Sequence, residues 1–141
     1  MTLFWGWRLK KRGFPKKSLS TLKQDRGRQS FHRGLWAERL IEIFMRCKGY
    51  KCLARRYHTP YGEIDLVMRK GKILVAVEVK TRQSHIAALE SLTHYQKKRI
   101  SKALEVFYAR HADAKNCTMR FDFAFQVGFK IGHIKGAWSC D

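Results

Sequence analysis

Four ionisable side chains lie among the valines, leucines and isoleucines of two strand-like runs in GEIDLVMRKGKILVAVEVKTR, residues 62–82. They are Glu63, Asp65, Glu78 and Lys80. Side chains two residues apart in a strand lie on the same face of the sheet, so each neighbouring pair shares a face. Carboxylates from adjacent strands can bind Mg²⁺, which takes one or two such ligands together with water and phosphate oxygens. A lysine beside them could orient an attacking water or stabilise a phosphoryl transition state.

The turn between the two strands decides whether these polar faces coincide. With Lys70-Gly71 as a two-residue loop, the predicted register places Glu63 opposite Glu78 and Asp65 opposite Ala76. Opposed carboxylates repel, and a divalent cation would offset that repulsion. The alternative is a set of solvated side chains in ordinary surface ion pairs. The apolar run ILVAVEV argues against it, because such a run is typical of a central strand.

The elements that position these residues follow from the periodicity of apolar side chains. Helical spacing predicts helices over 34–50 and 93–110. Strand patterning is found over 51–57, 63–69, 72–80, 118–127 and 129–134. Residues 81–92 have mixed character and are predicted to form a loop. The order helix, three strands, helix, two strands predicts an α+β or mixed α/β sandwich.

Charge is the largest compositional anomaly of this 141-residue chain. Its 30 Lys and Arg residues against 11 acids give a net charge of +19, while 45% hydrophobic residues indicate a folded globule. Such a charge favours a polyanionic partner, with nucleic acid preferred over an anionic membrane surface. No segment approaches the ~18 apolar residues of a membrane span, and the cysteines follow no zinc spacing. We therefore expect a cytoplasmic protein.

The basic charge is concentrated at the N-terminus. Residues 1–33 contain ten Lys or Arg and one acid, Asp25, with little apolar periodicity. This composition predicts a flexible basic arm, residues 1–33, followed by a globular domain, residues 34–141. The arm could bind phosphates without sequence preference. The alternatives are an unimportant extension from a wrongly chosen start codon, or a leader that resembles a transit peptide.

The motifs resemble the PD-(D/E)xK nuclease motif and, more closely, the YraN-like family of predicted endonucleases. The matching segments are residues 34–38, GY at 49–50, GEIDL at 62–66, VEVKTR at 77–82 and RFD at 120–122. The resemblance implies that the domain has a restriction-endonuclease-like fold, with a central mixed sheet flanked by helices. It also implies a relationship to archaeal Holliday-junction resolvases. Because those resolvases act as dimers, the resemblance suggests a homodimer for this chain.

The resemblance assigns roles to individual residues. Asp65 and Glu78 would be ligands of Mg²⁺ or Mn²⁺, with the Val79 carbonyl as a third candidate. Lys80 would be the catalytic lysine, and Glu38 on the first helix the accessory acid. No proline precedes Asp65, so the first half of the motif is reduced to its acid.

The function expected from these roles is a Mg²⁺-dependent endonuclease, with DNA favoured over RNA as substrate and branched or recombination intermediates among the candidate substrates. Phosphate contacts are predicted for Arg82, Lys97, Lys98, Arg99 and Lys102. For Glu63 the sequence allows two positions, one supporting the site and one solvated. For Gln96 it allows an orientation toward the site or away from it. One alternative is a nuclease-like fold that binds nucleic acid without hydrolysing it. Another is an RNA-associated basic protein, which accounts for the charge but not for the carboxylates.

Overall fold

The computed structural model describes residues 18–82 and 84–140, which form one five-stranded mixed sheet with helices on both faces. The strands are β1 (Lys51–His58), β2 (Glu63–Lys70), β3 (Ile73–Thr81), β4 (Thr118–Val127) and β5 (Lys130–Trp138). The helices are α1 (Leu19–Cys47), α2 (His85–Glu90), α3 (His94–Arg110) and a 3₁₀ turn (Ala112–Ala114). The strands lie in the order β1-β2-β3-β4-β5, and only the β3–β4 pair is parallel. The α/β class and the central position of the apolar strand are confirmed.

Buried apolar side chains pack on both faces of the sheet. On one face, Ile41 and Met45 of α1 pack on side chains of β2 and β3 such as Leu66 and Val77. On the other face, α3 contributes four core side chains: Ile100, Ala103, Leu104 and Phe107. Because both faces are covered, β3 is buried from Leu74 to Glu78. This explains why its sequence is apolar at consecutive positions.

Helix α1 begins earlier than its apolar spacing predicts. The predicted start at Gly34 is wrong, because the helix runs for 29 residues from Leu19 and is capped by the Ser18 hydroxyl. Its buried residues begin at Ala37, so the first half has no apolar face that periodicity could detect. Residues 1–17 of the predicted arm lie outside the described residues. None of the helices in the described part of the chain is long and apolar enough to cross a membrane.

The hairpin between β2 and β3 has a different register from the predicted one. Lys70 pairs with Ile73, so Gly71 and Lys72 form the turn, and Gly71 has a φ of 58°. The predicted pairing of Arg69 with Lys72 is therefore wrong by two residues. Each residue of β2 therefore pairs two residues further along β3 than predicted. The new partner lies on the same face as the predicted one, because strand side chains alternate with a period of two.

Two further elements differ from the predictions. The predicted loop at 81–92 contains the six-residue helix α2, which is too short for apolar periodicity to show. Strand β5 continues to Trp138, beyond the predicted end at Ile134. Its Gly132 lies against the Phe125 ring with no room for a Cβ atom. That glycine therefore marks close packing within the sheet and not a turn.

Candidate functional site

The regular geometry of β2 breaks at Asp65. Ile64 packs in the core on the α3 face, whereas Leu66 packs on the α1 face, although residues two apart in a regular strand share a face. The β2–β3 pairing ends at Leu66 and Val77, and the next residues along the two strands are Asp65 and Glu78. The predicted pairing of Asp65 with Ala76 is therefore wrong, because Ala76 pairs with Val67.

The Asp65 carboxylate takes the place of the missing backbone pair. Its Oδ2 accepts a hydrogen bond from the Val79 backbone N–H at 2.8 Å. Burial and the charge of Glu78 raise the pKa of Asp65 to about 8, while this N–H opposes the rise. The charge of Glu38 raises it further and that of Lys80 lowers it. Burial and the neighbouring carboxylates thus outweigh the Val79 N–H and the Lys80 charge at Asp65.

Glu78 and Lys80 project together from the C-terminal half of β3. Lys80 Nζ donates to Glu78 Oε1 at 2.6 Å, and both side chains are largely buried. Val79 between them packs toward the α1 face and gives its N–H to Asp65. The structure therefore brings Asp65, Glu78 and Lys80 together where β2 and β3 separate.

Glu38 reaches this site from α1 and is held by an arginine that the sequence did not single out. Arg56 donates from Nε and Nη2 to the two Glu38 oxygens, at 3.0 and 3.2 Å. Hydrogen bonding to Glu38 raises the pKa of Arg56, and the charges of Glu63 and Asp65 act in the same direction.

The backbone at Arg56 is unusual, because its φ of 45° lies in the left-handed region that a non-glycine residue rarely adopts. Such strain is concentrated at functional sites. In the β1–β2 pairing, Arg56 is flanked by the pairs Arg55–Leu66 and Tyr57–Ile64 and so lies across from Asp65.

The carboxylate oxygens of this site form part of a ligand set for a hard cation. Among the described residues, no three His, Cys, Asp or Glu side chains are grouped closely enough to hold a metal ion. Asp65 and Glu78 are nevertheless two oxygen donors in adjacent positions, and Mg²⁺ usually takes one or two carboxylates, with water and phosphate completing its shell. A cation beside Asp65 would also offset the charge of Glu78, which adds to burial in raising the pKa of Asp65. The carboxylate pair therefore fits Mg²⁺ or Mn²⁺ as a partial ligand set.

The predicted phosphate-binding residues fall on three surfaces. Arg82 lines a groove of about 810 Å³ together with Lys80 and Arg33 of α1. Arg99 borders a smaller cavity of about 230 Å³ that also contains Glu78. Lys97, Lys98 and Lys102 line a third depression together with Ser139, and Lys102 also borders a depression with Tyr61. The smaller cavity contains Glu78 itself, and the groove at Arg82 is lined by Lys80, the ion-pair partner of Glu78.

The two residues left open by the sequence occupy the edge of the smaller cavity. Glu63 is 41% exposed and lies 3.4 Å from the His58 ring. Gln96 accepts a hydrogen bond from the Thr93 N–H, which completes the capping box of α3. Both line the cavity with Glu78, but the contact of Gln96 is a helix cap.

A second polar cluster, centred on Asp122 of β4, was not recognised as a unit from the sequence. Arg120 donates to both Asp122 oxygens at 2.7 Å, and His133 Nε2 and the Gly136 N–H donate as well. Because the Lys48 ammonium can only donate, His133 Nδ1 accepts from it at 2.8 Å and Nε2 carries the proton. Burial disfavours the Asp122 carboxylate, but these donors outweigh burial and lower its pKa to about 2.

Comparison with known proteins identifies relatives over most of this chain. Residues 37–125 match the model of the uncharacterised protein family UPF0102. A UPF0102 protein of Mesorhizobium japonicum is 44% identical over 108 residues, covering 76% of this chain and 84% of the relative. A UPF0102 protein of Nitrobacter winogradskyi is 43% identical over 110 residues, covering 77% and 93%. These matches confirm the family indicated by the motifs, and their names state no activity.

Proposed function

This chain belongs to the uncharacterised protein family UPF0102, and from the carboxylates beside Lys80 we propose that it is a Mg²⁺-dependent nuclease that hydrolyses phosphodiester bonds in DNA. The observation that carries the proposal is the environment of Asp65. Its pKa is raised by burial and by Glu78, next to the Glu78–Lys80 ion pair. Perturbed carboxylates of this kind are concentrated at catalytic sites.

The residues have complementary roles in this proposal. Asp65 and Glu78 would hold the ion, which would supply Lewis-acid neutralisation of the phosphate and activation of water. The Lys80 ammonium, fixed by Glu78, would orient the attacking water and stabilise negative charge on the phosphate oxygens. Water forms the new P–O bond, the bond to one sugar oxygen breaks, and that oxygen takes up a proton. Glu38, whose two oxygens accept from Arg56, would support the water or a further ion with its remaining lone pairs.

The direct test is cleavage of linear, single-stranded and four-way DNA in the presence of Mg²⁺ or Mn²⁺. We expect Asp65→Asn and Lys80→Met each to lose at least about 100-fold in rate, the scale of removing one transition-state contact. Glu105→Gln, at an exposed acid of α3, is the matched control and should cleave like the parent. Equal cleavage by the parent, Asp65→Asn and Lys80→Met would rule out this assignment.

A non-catalytic nucleic-acid-binding module is the second candidate, favoured by the ion pairs that already engage Glu38 and Glu78. Thermal unfolding with and without Mg²⁺ separates the two. For the nuclease, a tenfold excess of Mg²⁺ over its dissociation constant should stabilise the parent by about 1.4 kcal/mol. The Asp65→Asn variant should show no such gain. DNA binding without any Mg²⁺-dependent shift in the parent would support the binding module instead.

A further inference from the structure

Two exposed tyrosines lie beside the candidate site, each next to a basic side chain. Tyr61, in the β1–β2 loop, is 52% exposed, and Tyr95, in the first turn of α3, is 68% exposed. The Lys102 ammonium lies over the Tyr61 ring, 5.7 Å from its centroid. The Arg99 guanidinium lies over the Tyr95 ring at 5.6 Å. We call these four residues the tyrosine–cation patch.

The loop that carries Tyr61 is held in one conformation by local hydrogen bonds. The Thr59 hydroxyl accepts from the N–H groups of Tyr61 and Gly62, at 3.2 and 3.1 Å, and donates to the Gly62 carbonyl at 2.8 Å. Arg99 Nε donates to the Tyr61 carbonyl at 2.7 Å. A Cβ atom at Gly62 would lie only 3.0 Å from the Arg99 Cβ, so the loop and α3 are in close contact.

Tyr95 is held in a similar way by the start of α3. Thr93 and Gln96 form a reciprocal capping box around it, with the Thr93 hydroxyl accepting from the Gln96 N–H at 3.2 Å. Both rings therefore project from ordered backbone. A ligand that stacks on them would lose little binding energy to ordering the protein.

The patch adjoins the carboxylates. Arg99 and Gly62 line the 230 Å³ cavity that also contains Glu78. Helix α3 carries five Lys or Arg residues and a single acid, Glu105, so the surroundings of the patch are strongly basic. Exposed aromatic rings in a basic setting are typical of surfaces that bind single-stranded nucleic acid, where bases stack and phosphates pair with cations.

We propose that the tyrosine–cation patch binds unpaired nucleotides, with bases stacked on Tyr61 and Tyr95 and phosphates paired with Arg99 and Lys102. In a duplex both faces of each base are already stacked on neighbouring pairs, so only an unpaired or frayed segment can use the rings. The proposal adds a substrate preference to the proposed nuclease function. One consequence of it rests on that function. The strand that enters the cleavage site is unpaired on the side of α3.

Binding in EDTA tests the patch without any cleavage step, so its outcome does not depend on whether the protein is a nuclease. The full chain is titrated against a labelled oligothymidylate, the same strand with abasic sites, and a duplex of equal length, with fluorescence anisotropy as readout. We expect the parent to bind the oligothymidylate about tenfold more tightly than the abasic strand, because stacking contributes to affinity at each base. Oligouridylate replaces the DNA in a parallel titration, and equal binding there extends the proposal to RNA.

The variant Tyr61→Ala/Tyr95→Ala should lose about that tenfold preference and bind both single strands like the parent binds the abasic one. Tyr→Phe at the same positions keeps the rings and should restore the preference, which separates stacking from misfolding. Phe129→Ala removes a fully exposed aromatic ring on the β4–β5 turn and should change nothing. Equal parental affinity for base-containing and abasic strands would overturn the proposal. So would an equal loss of duplex and single-strand binding in the double variant.

Discussion

Asp65 in β2 and Asp122 in β4 are aspartates of one sheet in opposite electrostatic environments. Asp122 is completely buried and is matched by a guanidinium, an imidazole and a backbone N–H, which together lower its pKa against the effect of burial. Asp65 has one backbone donor, from Val79, and its pKa is raised by burial and by Glu78. The same residue type is therefore ionised in one place and strongly disfavoured as an anion in the other.

The difference separates a structural polar cluster from a candidate functional one. A buried carboxylate that serves the fold is stable when its lone pairs are all satisfied by donors of the protein. A carboxylate whose charge the protein leaves uncompensated costs stability, and natural proteins retain such groups mainly where a ligand or a reaction uses them. On this criterion Asp122 belongs to the fold and Asp65 to the candidate site.

The largest expected difference is in folding stability, and the isosteric change of aspartate to asparagine isolates it. Asp122→Asn should lose about 3–5 kcal/mol, because Arg120 and His133 would face an amide in place of a carboxylate. Asp65→Asn should lose little or gain, since its amide oxygen can still accept the Val79 N–H and a neutral amide replaces a carboxyl group whose ionisation is unfavourable in the folded state. Urea unfolding of both variants at pH 7.5 in EDTA provides the measurement. A loss below about 1 kcal/mol in Asp122→Asn, or comparable losses in both, contradicts the comparison.

The next effect is on the pH dependence of stability. Folded Asp65 has a pKa of about 8 against an ordinary value of 3.8, so between pH 4 and 8 the folded state keeps a proton that the unfolded state has released. The free energy of unfolding of the parent, relative to Asp65→Asn, should therefore fall as the pH rises through this range. One proton limits the slope to about 1.4 kcal/mol per pH unit.

For Asp122, the pH dependence of the free energy of unfolding has the opposite sign and falls in a different pH range. Its folded pKa of about 2 lies below the ordinary value of 3.8, so its contribution is present above pH 4 and is lost as the pH falls toward 2. The difference between the parent and Asp122→Asn should be flat from pH 5 to 8 and shrink only below pH 4. Unfolding free energies in EDTA across pH 3–8 would show both trends. A flat difference between the parent and Asp65→Asn would contradict the environment described for Asp65.

The comparison also shows which parts of the molecule are predictable from sequence. Parity along β3 was sufficient to identify Glu78 and Lys80 as neighbours, because residues two apart in one strand share a face whatever the register with β2. It could not predict the break at Asp65, which places Ile64 and Leu66 in different cores. Such a break depends on where the β2–β3 pairing ends, and that is set by tertiary packing.

The missed residues are those whose role depends on long-range contacts. His133 reaches Asp122 from the neighbouring strand, where the pairing is irregular between Phe121 and Phe123. Arg56 was unremarkable in sequence, and its contact with Glu38 requires α1 to lie over the end of β1. Helix α1 was predicted only where it packs, because its first half contributes nothing to a core.

The smallest expected effect concerns the backbone, which is strained beside Asp65 and not at the arginine that holds Asp122. Arg56 has a φ of 45°, whereas Arg120 is not among the described residues with a positive φ. Replacing Arg56 by Gly or by Ala removes the same contact with Glu38, but only glycine adopts this conformation freely. The left-handed cost for alanine, roughly 1–2 kcal/mol, exceeds the entropic cost of glycine, roughly 0.5–1 kcal/mol. Arg56→Gly should therefore be more stable than Arg56→Ala by up to about 1 kcal/mol.

Arg55 provides the matched control, because it pairs with Glu42 from the same strand without a positive φ. There the order should reverse, with Arg55→Ala more stable than Arg55→Gly, since only the entropic cost of glycine remains. Urea unfolding of the four variants under one condition measures both differences. If alanine is the more stable replacement at both positions, the left-handed backbone at Arg56 is not maintained in solution. The strain would then no longer distinguish the surroundings of Asp65 from those of Asp122.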